Sequence, residues 1–164
     1  MPVDQGFRYE LCAMIAAPDV LEPMAAARPQ AQVIGLAQGL AMVPVTSRLS
    51  TALEGTGATV PPETGFWLLS PGVLHLLETA SAAGPIAYIE TDYLGRDGRQ
   101  TAAIWERGDL LYGPSILDRS EPFPRDGSSP IGTVLRRMGV VAAGRHDEFV
   151  VLGLGRHRST EQWS

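Results

Sequence analysis

The stretch YIETDYLGRDGRQTAAIWERGDLLYG, residues 88–113, constrains this chain more than any other. It reads as three strands joined by two tight turns. Three strands joined by tight turns must pair antiparallel, because parallel neighbours need a crossover of roughly a dozen residues or more. The meander is read over 86–112. With its first turn centred on Arg96-Asp97, Tyr88 opposes Trp105, Glu90 opposes Ala103 and Asp92 opposes Thr101. One face then carries Tyr88, Glu90, Asp92 and Trp105. The other carries Ala87, Ile89, Thr91, Ala102 and Ile104, with Tyr93 near the turn. The second face is the more apolar and is the expected core face. The first is expected to be an acidic, aromatic surface.

Other elements are placed around the meander by caps and breakers. A strand is expected from Phe7 to about Ile15. A short helix follows, with Asp19 and Glu22 as a capping box, Pro23 in its first turn and Pro29 as its stop. Two short strands, about 32–36 and 40–45, turn near Gln38-Gly39. Ser47 opens a helix that Gly55 closes. A polar loop spans 55–65, and FWLL, residues 66–69, reads as a short strand. Ser70 and Pro71 start the clearest helix, with Val73, Leu76, Leu77 and Ala80 on one face and His75, Glu78 and Thr79 on the other. Ser129 and Pro130 start another, in which Ile131, Val134, Leu135 and Met138 are apolar, Arg136 and Arg137 face water, and Gly139 is the stop. DEFVVLGLG, residues 147–155, reads as a final strand. Residues 114–128 read as a long surface loop.

The order is βαββα–βα–βββ–α–β. It predicts an α+β fold with a largely antiparallel sheet and three to four helices packed mainly on one face. The 73–80 and 131–138 helices are expected on the same side of that sheet. At 164 residues, 1–164 reads as one globular domain.

Composition narrows the function classes. A hydrophobic fraction of 45% with 19% charged residues suits an ordinary globular protein. Net charge is −5, which disfavours binding nucleic acid by phosphate neutralisation. All 13 cationic residues are Arg, a bias expected of a GC-rich bacterial genome. The single cysteine, Cys12, lies in an apolar run and reads as a buried thiol in a reducing compartment. No apolar run approaches the ~20 residues needed to span a bilayer. MPVDQGFRYE lacks a signal-peptide pattern, so the protein is expected to be cytoplasmic.

Two constellations could carry chemistry. Glu90 and Asp92, with Tyr88 and Trp105, form either a carboxylate pair or a partner-binding patch. A hard cation needs further oxygens, and His75, His146 and His157 lack ligand spacing, so no metal and no cofactor are expected. The segment LGLGRHRSTEQW is the second. Gly-x-Gly followed by Arg156, His157 and Arg158 could cradle an anion, although it lacks the remainder of a dinucleotide fingerprint. No Gly-x-Ser-x-Gly nucleophile motif occurs.

AYIETDYLGRDGRQTAAIWERGDLLYGP, PIGTVLRRMGV and DEFVVLGLGRHRSTEQW together resemble a pattern found in small uncharacterised proteins, chiefly from GC-rich actinobacteria. The resemblance covers roughly 84–163 and departs at Leu94-Gly95-Arg96, where the pattern has Phe-Gly-Gly. It is compatible with an immunity-type partner of a toxin. The expectation is therefore a non-enzymatic binding protein that occludes a basic toxin cleft through Tyr88, Glu90, Asp92 and Trp105, with 114–128 as a rim. The alternatives are a small enzyme or anion- or nucleotide-binding domain using Glu90 or Asp92 with Arg156, His157 and Arg158, and a homodimeric module pairing through an exposed sheet edge.

Overall fold

The computed structural model describes residues 7–53 and 64–163. Its centre is a six-stranded sheet in the order β2-β3-β1-β4-β5-β6. The strands are β1 (Arg8–Ala16), β2 (Ile34–Gly35), β3 (Ala41–Pro44), β4 (Ile86–Leu94), β5 (Asp97–Glu106) and β6 (Asp109–Leu117). Every pairing is antiparallel. The helices are α1 (Pro18–Ala26), α2 (Ser47–Ala52), α3 (Pro71–Ala80), α4 (Pro130–Arg137) and α5 (Glu148–Leu152). The fold is α+β, as the element order implied.

The meander forms with its register moved by two residues from the expected one. Leu94 pairs with Asp97, so the turn is Gly95-Arg96, and Tyr88 faces Ala103, Glu90 faces Thr101 and Asp92 faces Arg99. Gly95 takes φ +61°, which glycine adopts without Cβ strain and which suits the first central position of a II′ turn. A shift of two keeps each residue on its expected face, whereas a shift of one would have exchanged the faces. The second turn, Arg107-Gly108, has φ of 55° and 82°, the I′ pattern that matches strand twist.

Helices cover both faces of the sheet. Cys12, Met14, Val43, Ile86, Tyr88 and Trp105 point to the side covered by α1, α2 and α3, through Leu21, Leu49, Val73, Leu76 and Leu77 among others. Leu11, Ala13, Ile15, Ala87, Ile89 and Ile104 point to the side covered by Ile131, Val134 and Leu135 of α4 and by Leu152, Leu154 and Trp163. Three helices thus share one face, but the 73–80 and 131–138 helices lie on opposite sides. The reason is visible in β1: LCAMI is apolar at every position, so both of its faces must leave water.

Other local differences follow from capping. Thr46, not Ser47, caps α2 by accepting the Leu49 N–H at 3.2 Å. Ala17 is the N-cap of α1, so the Asp19–Glu22 box does not form, and Pro23 falls inside the helix. Ser70 and Ser129 cap α3 and α4 as expected. Residues 147–155 are not a strand. Asp147 accepts the Val150 N–H at 3.0 Å, which starts α5, and Gly153 ends it at φ +99°. FWLL is irregular rather than a strand. Residues 114–117 belong to β6, so the loop proper begins at Asp118. The expected helix stop at Gly55, and all but the last two residues of the 55–65 loop, lie outside the described residues.

Leu135 is fully buried at the centre of the α4 contact. Leu135→Ala should lower unfolding free energy by about 2–5 kcal/mol in denaturant melts. Leu76→Ala, on the opposite face, should add to it nearly independently, since the two sites share no partner. A strongly non-additive pair would contradict the separation of the two cores.

Candidate functional site

Glu90 and Asp92 share a face of β4 but not an environment. Glu90 is fully buried. One carboxylate oxygen accepts the Trp67 N–H at 2.7 Å and the Leu68 N–H at 3.1 Å. The other accepts the Tyr88 hydroxyl at 2.5 Å. Tyr88 Oη in turn lies 3.1 Å from the Cys12 thiol. The FWLL segment is therefore a strap. Its irregular backbone has two N–H groups with no strand to pair with, and Glu90 supplies the acceptor. Phe66 lies against the Tyr88 ring at 5.1 Å and the Trp105 ring at 6.4 Å. Thr101 donates to Gly65 O at 3.0 Å and holds the strap's start. Arg99 stacks over Trp67 at 3.9 Å.

Tyr88, Glu90 and Trp105 thus form a buried network, and the expected acidic aromatic surface is not exposed. Sequence alternation could not reveal this, because the cover comes from a segment twenty residues away that is not a regular element. Asp92 lies beyond the strap, partly exposed, near Arg8 at 3.4 Å and Arg119 at 3.6 Å. Burial raises the Glu90 carboxyl above its ordinary range, against the lowering effect of the Tyr88, Trp67 and Leu68 hydrogen bonds and of the Arg99 charge. Burial also raises the Cys12 thiol, aided by the nearby Glu90 charge, so it is not a nucleophile poised at neutral pH.

The C-terminal segment is a clasp. Leu154–Arg156 is a short 3-10 turn, as is Thr160–Trp163. Arg158 O accepts the Glu10 N–H at 2.9 Å, and Thr160 Oγ1 accepts the Cys12 N–H at 3.0 Å. These contacts satisfy the edge of β1 where β3 no longer runs beside it, since β3 pairs only with Ala13–Ala16. Glu10 accepts the Thr160 N–H and hydroxyl at 2.8 and 2.9 Å. Glu161 accepts from Ser47 N and Oγ at 2.7 and 2.6 Å, at the start of α2.

Arg156 donates to Gly35 O at 3.0 Å and to Gly153 O at 3.2 Å. His157 packs edge-on against Trp163, and Arg158 sits over Phe7. The N–H of Gly153 goes to Val150 O and that of Arg156 to Gly153 O. Two backbone donors and one guanidinium of the supposed anion cradle are thus already used, and none of these contacts involves Glu90 or Asp92.

A different site emerges on the α4 side, at the tip of the β4–β5 hairpin. Three cross-strand rows tell why. Ala13, Ile89 and Ala102 form an apolar row under α4. The next row toward the hairpin tip is Leu11, Thr91 and Gln100, at the N-terminus of α4. Gln100 Oε1 accepts the Ile131 N–H at 2.8 Å, and its Nε2 reaches Tyr93 Oη at 3.4 Å. The row beyond is Tyr9, Tyr93 and Gly98. That row is not reached by α4 and is touched by α5 only at Tyr9, through Phe149. It is roofed instead by the 118–128 loop, leaving a cleft of about 890 Å³, within the roughly 300–1,000 Å³ typical of ligand sites.

The cleft walls are aromatic. Tyr9 meets Phe149 edge-on at 5.3 Å, and Tyr93 meets Phe123 of the roof at 6.2 Å. Tyr9 donates to Leu154 O at 2.7 Å, which fixes its ring. Gly98 is required: a Cβ there would collide with the Tyr93 ring and with Asp92 O. Arg96, Arg119 and Arg125 lie at the cleft with Asp97, Glu121 and Asp147, so its rim holds both signs. Burial raises the Tyr93 hydroxyl pKa, so it remains a neutral donor and acceptor. Among the described residues no three His, Cys, Asp or Glu side chains are placed to hold a metal. Among the described residues no helix is long and apolar enough to cross a membrane. The sequence reading missed this site because its residues come from β1, β4, β5, α4, α5 and a loop. The available signal was Tyr93 beside a strand glycine.

No family model, curated protein or solved structure matches this chain.

The Glu90 network predicts a pH signature. A carboxyl whose folded pKa is raised favours the native state most at low pH, where it is protonated in both states. That contribution falls as pH rises from the unfolded value, about 4.3, through the folded one. Glu90→Gln should flatten this decline in pH-dependent denaturant melts. Glu90→Ala should instead destabilise at all pH values by at least about 2 kcal/mol, because the Trp67, Leu68 and Tyr88 donors lose their acceptor. An unchanged pH profile in Glu90→Gln would exclude a shifted carboxyl.

Proposed function

We propose that this chain is a non-enzymatic binding protein whose recognition site is the cleft at the hairpin end of the sheet. The observation that carries this reading is the Tyr9–Tyr93–Gly98 row that α4 leaves open to a cleft, walled by Phe149 and Phe123 and floored by Thr91 and Gln100. Concave aromatic walls with a few convergent polar groups are the usual make-up of a binding site. Tyr9 and Tyr93, whose hydroxyl pKa values burial raises, stand at the cleft as neutral phenols. Cys12, Tyr88 and Glu90, also raised by burial, face the opposite side of the sheet and satisfy one another and the strap. They serve the fold.

An immunity-type role remains the form of this reading in which the ligand is another protein. Its contact surface moves from Tyr88, Glu90 and Trp105 to the cleft. Of the residues first considered for partner binding, Asp92 keeps an indirect part, since its contact with Arg119 ties down the roof.

The test is a titration of the labelled protein with a small aromatic fragment set, read by amide chemical shifts. Shifts should cluster at Thr91, Tyr93, Gly98, Gln100 and Ile131. Phe123→Ala should weaken fragment binding several-fold, as loss of an aromatic wall does. Glu90→Gln should leave it unchanged. Binding that shifts the tail or the α3 side while the cleft stays silent would sink the proposal.

A further inference from the structure

Resting on the cleft reading, we propose that the group seated in the cleft is a tyrosine or tryptophan side chain presented by a polypeptide partner. Three features of the cleft converge on this chemistry. The first is its walls, two edge-on aromatic pairs built on Tyr9 and Tyr93, which suit a flat ring inserted between them.

The second is the floor. Thr91 and Gln100 are each 4% exposed, yet both line the cleft. Gln100 has two amide N–H groups and an oxygen. The oxygen is taken by Ile131 N, and one N–H reaches Tyr93 at the long distance of 3.4 Å. The second N–H is left for an occupant among the described residues, and the Thr91 hydroxyl stands across the strand pair from it. A benzyl ring placed there would leave these groups without water or partner. A phenol hydroxyl or an indole N–H would satisfy them.

The third is the size and the rim. A single side chain does not fill about 890 Å³, so room remains for the backbone that carries it. Arg96 and Arg125 on one hand, and Asp97 and Asp147 on the other, give the mouth both signs of charge. That complements the N–H and C=O groups and mixed flanking charges of a peptide segment, and does not select a strongly anionic or cationic small molecule. Tyrosine and tryptophan are also the residues that most often anchor protein interfaces.

The experiment titrates the full chain with N-acetyl-tyrosinamide, N-acetyl-tryptophanamide and N-acetyl-phenylalaninamide, with adenosine as a small-molecule comparison. The tyrosine and tryptophan amides should bind in the cleft with affinities at least fivefold above the phenylalanine amide, because a floor built for a hydrogen bond rejects the analogue lacking it. Thr91→Val, which keeps the side chain's shape, should reduce that preference. Gln100→Leu should do so too if it keeps the Ile131 end of α4 folded. Equal binding of the phenylalanine amide would overturn the inference. So would retention of the full preference in both variants, or adenosine binding more tightly than every amide. If fragments still occupy the cleft in those cases, the binding-site reading survives without this ligand class. If no aromatic probe shifts the cleft at all, both fail.

Discussion

Everything in this fold follows from three central strands that cannot show either face to water. β1, β4 and β5 are buried on both sides over most of their length, and in β1 Leu11, Ala13 and Ile15 face one side and Cys12, Met14 and Ala16 the other. Burying both faces demands cover twice over. The helices α1 to α3 provide it on one side, and α4, α5 and the tail on the other. α4 starts one row short of the hairpin tip, so its cover runs out there. What happens there decides the rest: a strap over Glu90, a clasp beside Glu10, and a roofed cleft over Tyr93.

The parts of this that depend on neighbours in sequence were legible. The two-turn meander formed, although its first turn is Gly95-Arg96 rather than Arg96-Asp97, and Ser70-Pro71 and Ser129-Pro130 opened α3 and α4 where expected. Which residues of β4 and β5 share a face was read correctly even with the register displaced, because side chains alternate with period two, but the Tyr88, Glu90 and Trp105 face expected at the surface is buried. What failed were judgements about long-range cover. LCAMI gives no hint of which helix goes to which side. DEFVVLGLG has strand-like composition, and only the Asp147 cap and the positive φ of Gly153 turn it into a helix with a stop. In both cases propensity was overridden by a partner distant in sequence or by one capping contact.

Glu90 and Asp92 show the same lesson within one strand. They are two residues apart and point the same way, yet one is sealed and the other pairs with arginines at the surface. The difference lies in what crosses above them. A buried carboxylate is costly unless its lone pairs are used, and Glu90 uses them on a backbone that has no other acceptors. The acid and the irregular strap therefore require each other. An acidic, aromatic pattern in a strand can signal a partner surface or a polar seam that fixes a loop. The choice between them depends on a segment that carries no periodic signal.

The Arg-rich tail repeats this inversion. Arg156, His157 and Arg158 looked like free cationic capacity, but the structure spends Arg156 on the Gly35 and Gly153 carbonyls and uses the neighbouring Thr160 and Glu161 to finish β1 and α2. Both motif-like stretches thus hold the sheet closed at places where regular elements stop. The cleft is the converse case. Its row of Tyr9, Tyr93 and Gly98 has no motif, but there a stopping element is not replaced by tight packing. α4 begins at Gln100, one row short of the hairpin tip, and the roof loop bridges the gap without filling it. The sheet closes its shortfalls beside Glu90 and Glu10 with polar contacts and leaves the Tyr9–Tyr93–Gly98 row facing a roofed cleft, the feature on which the proposed recognition site rests.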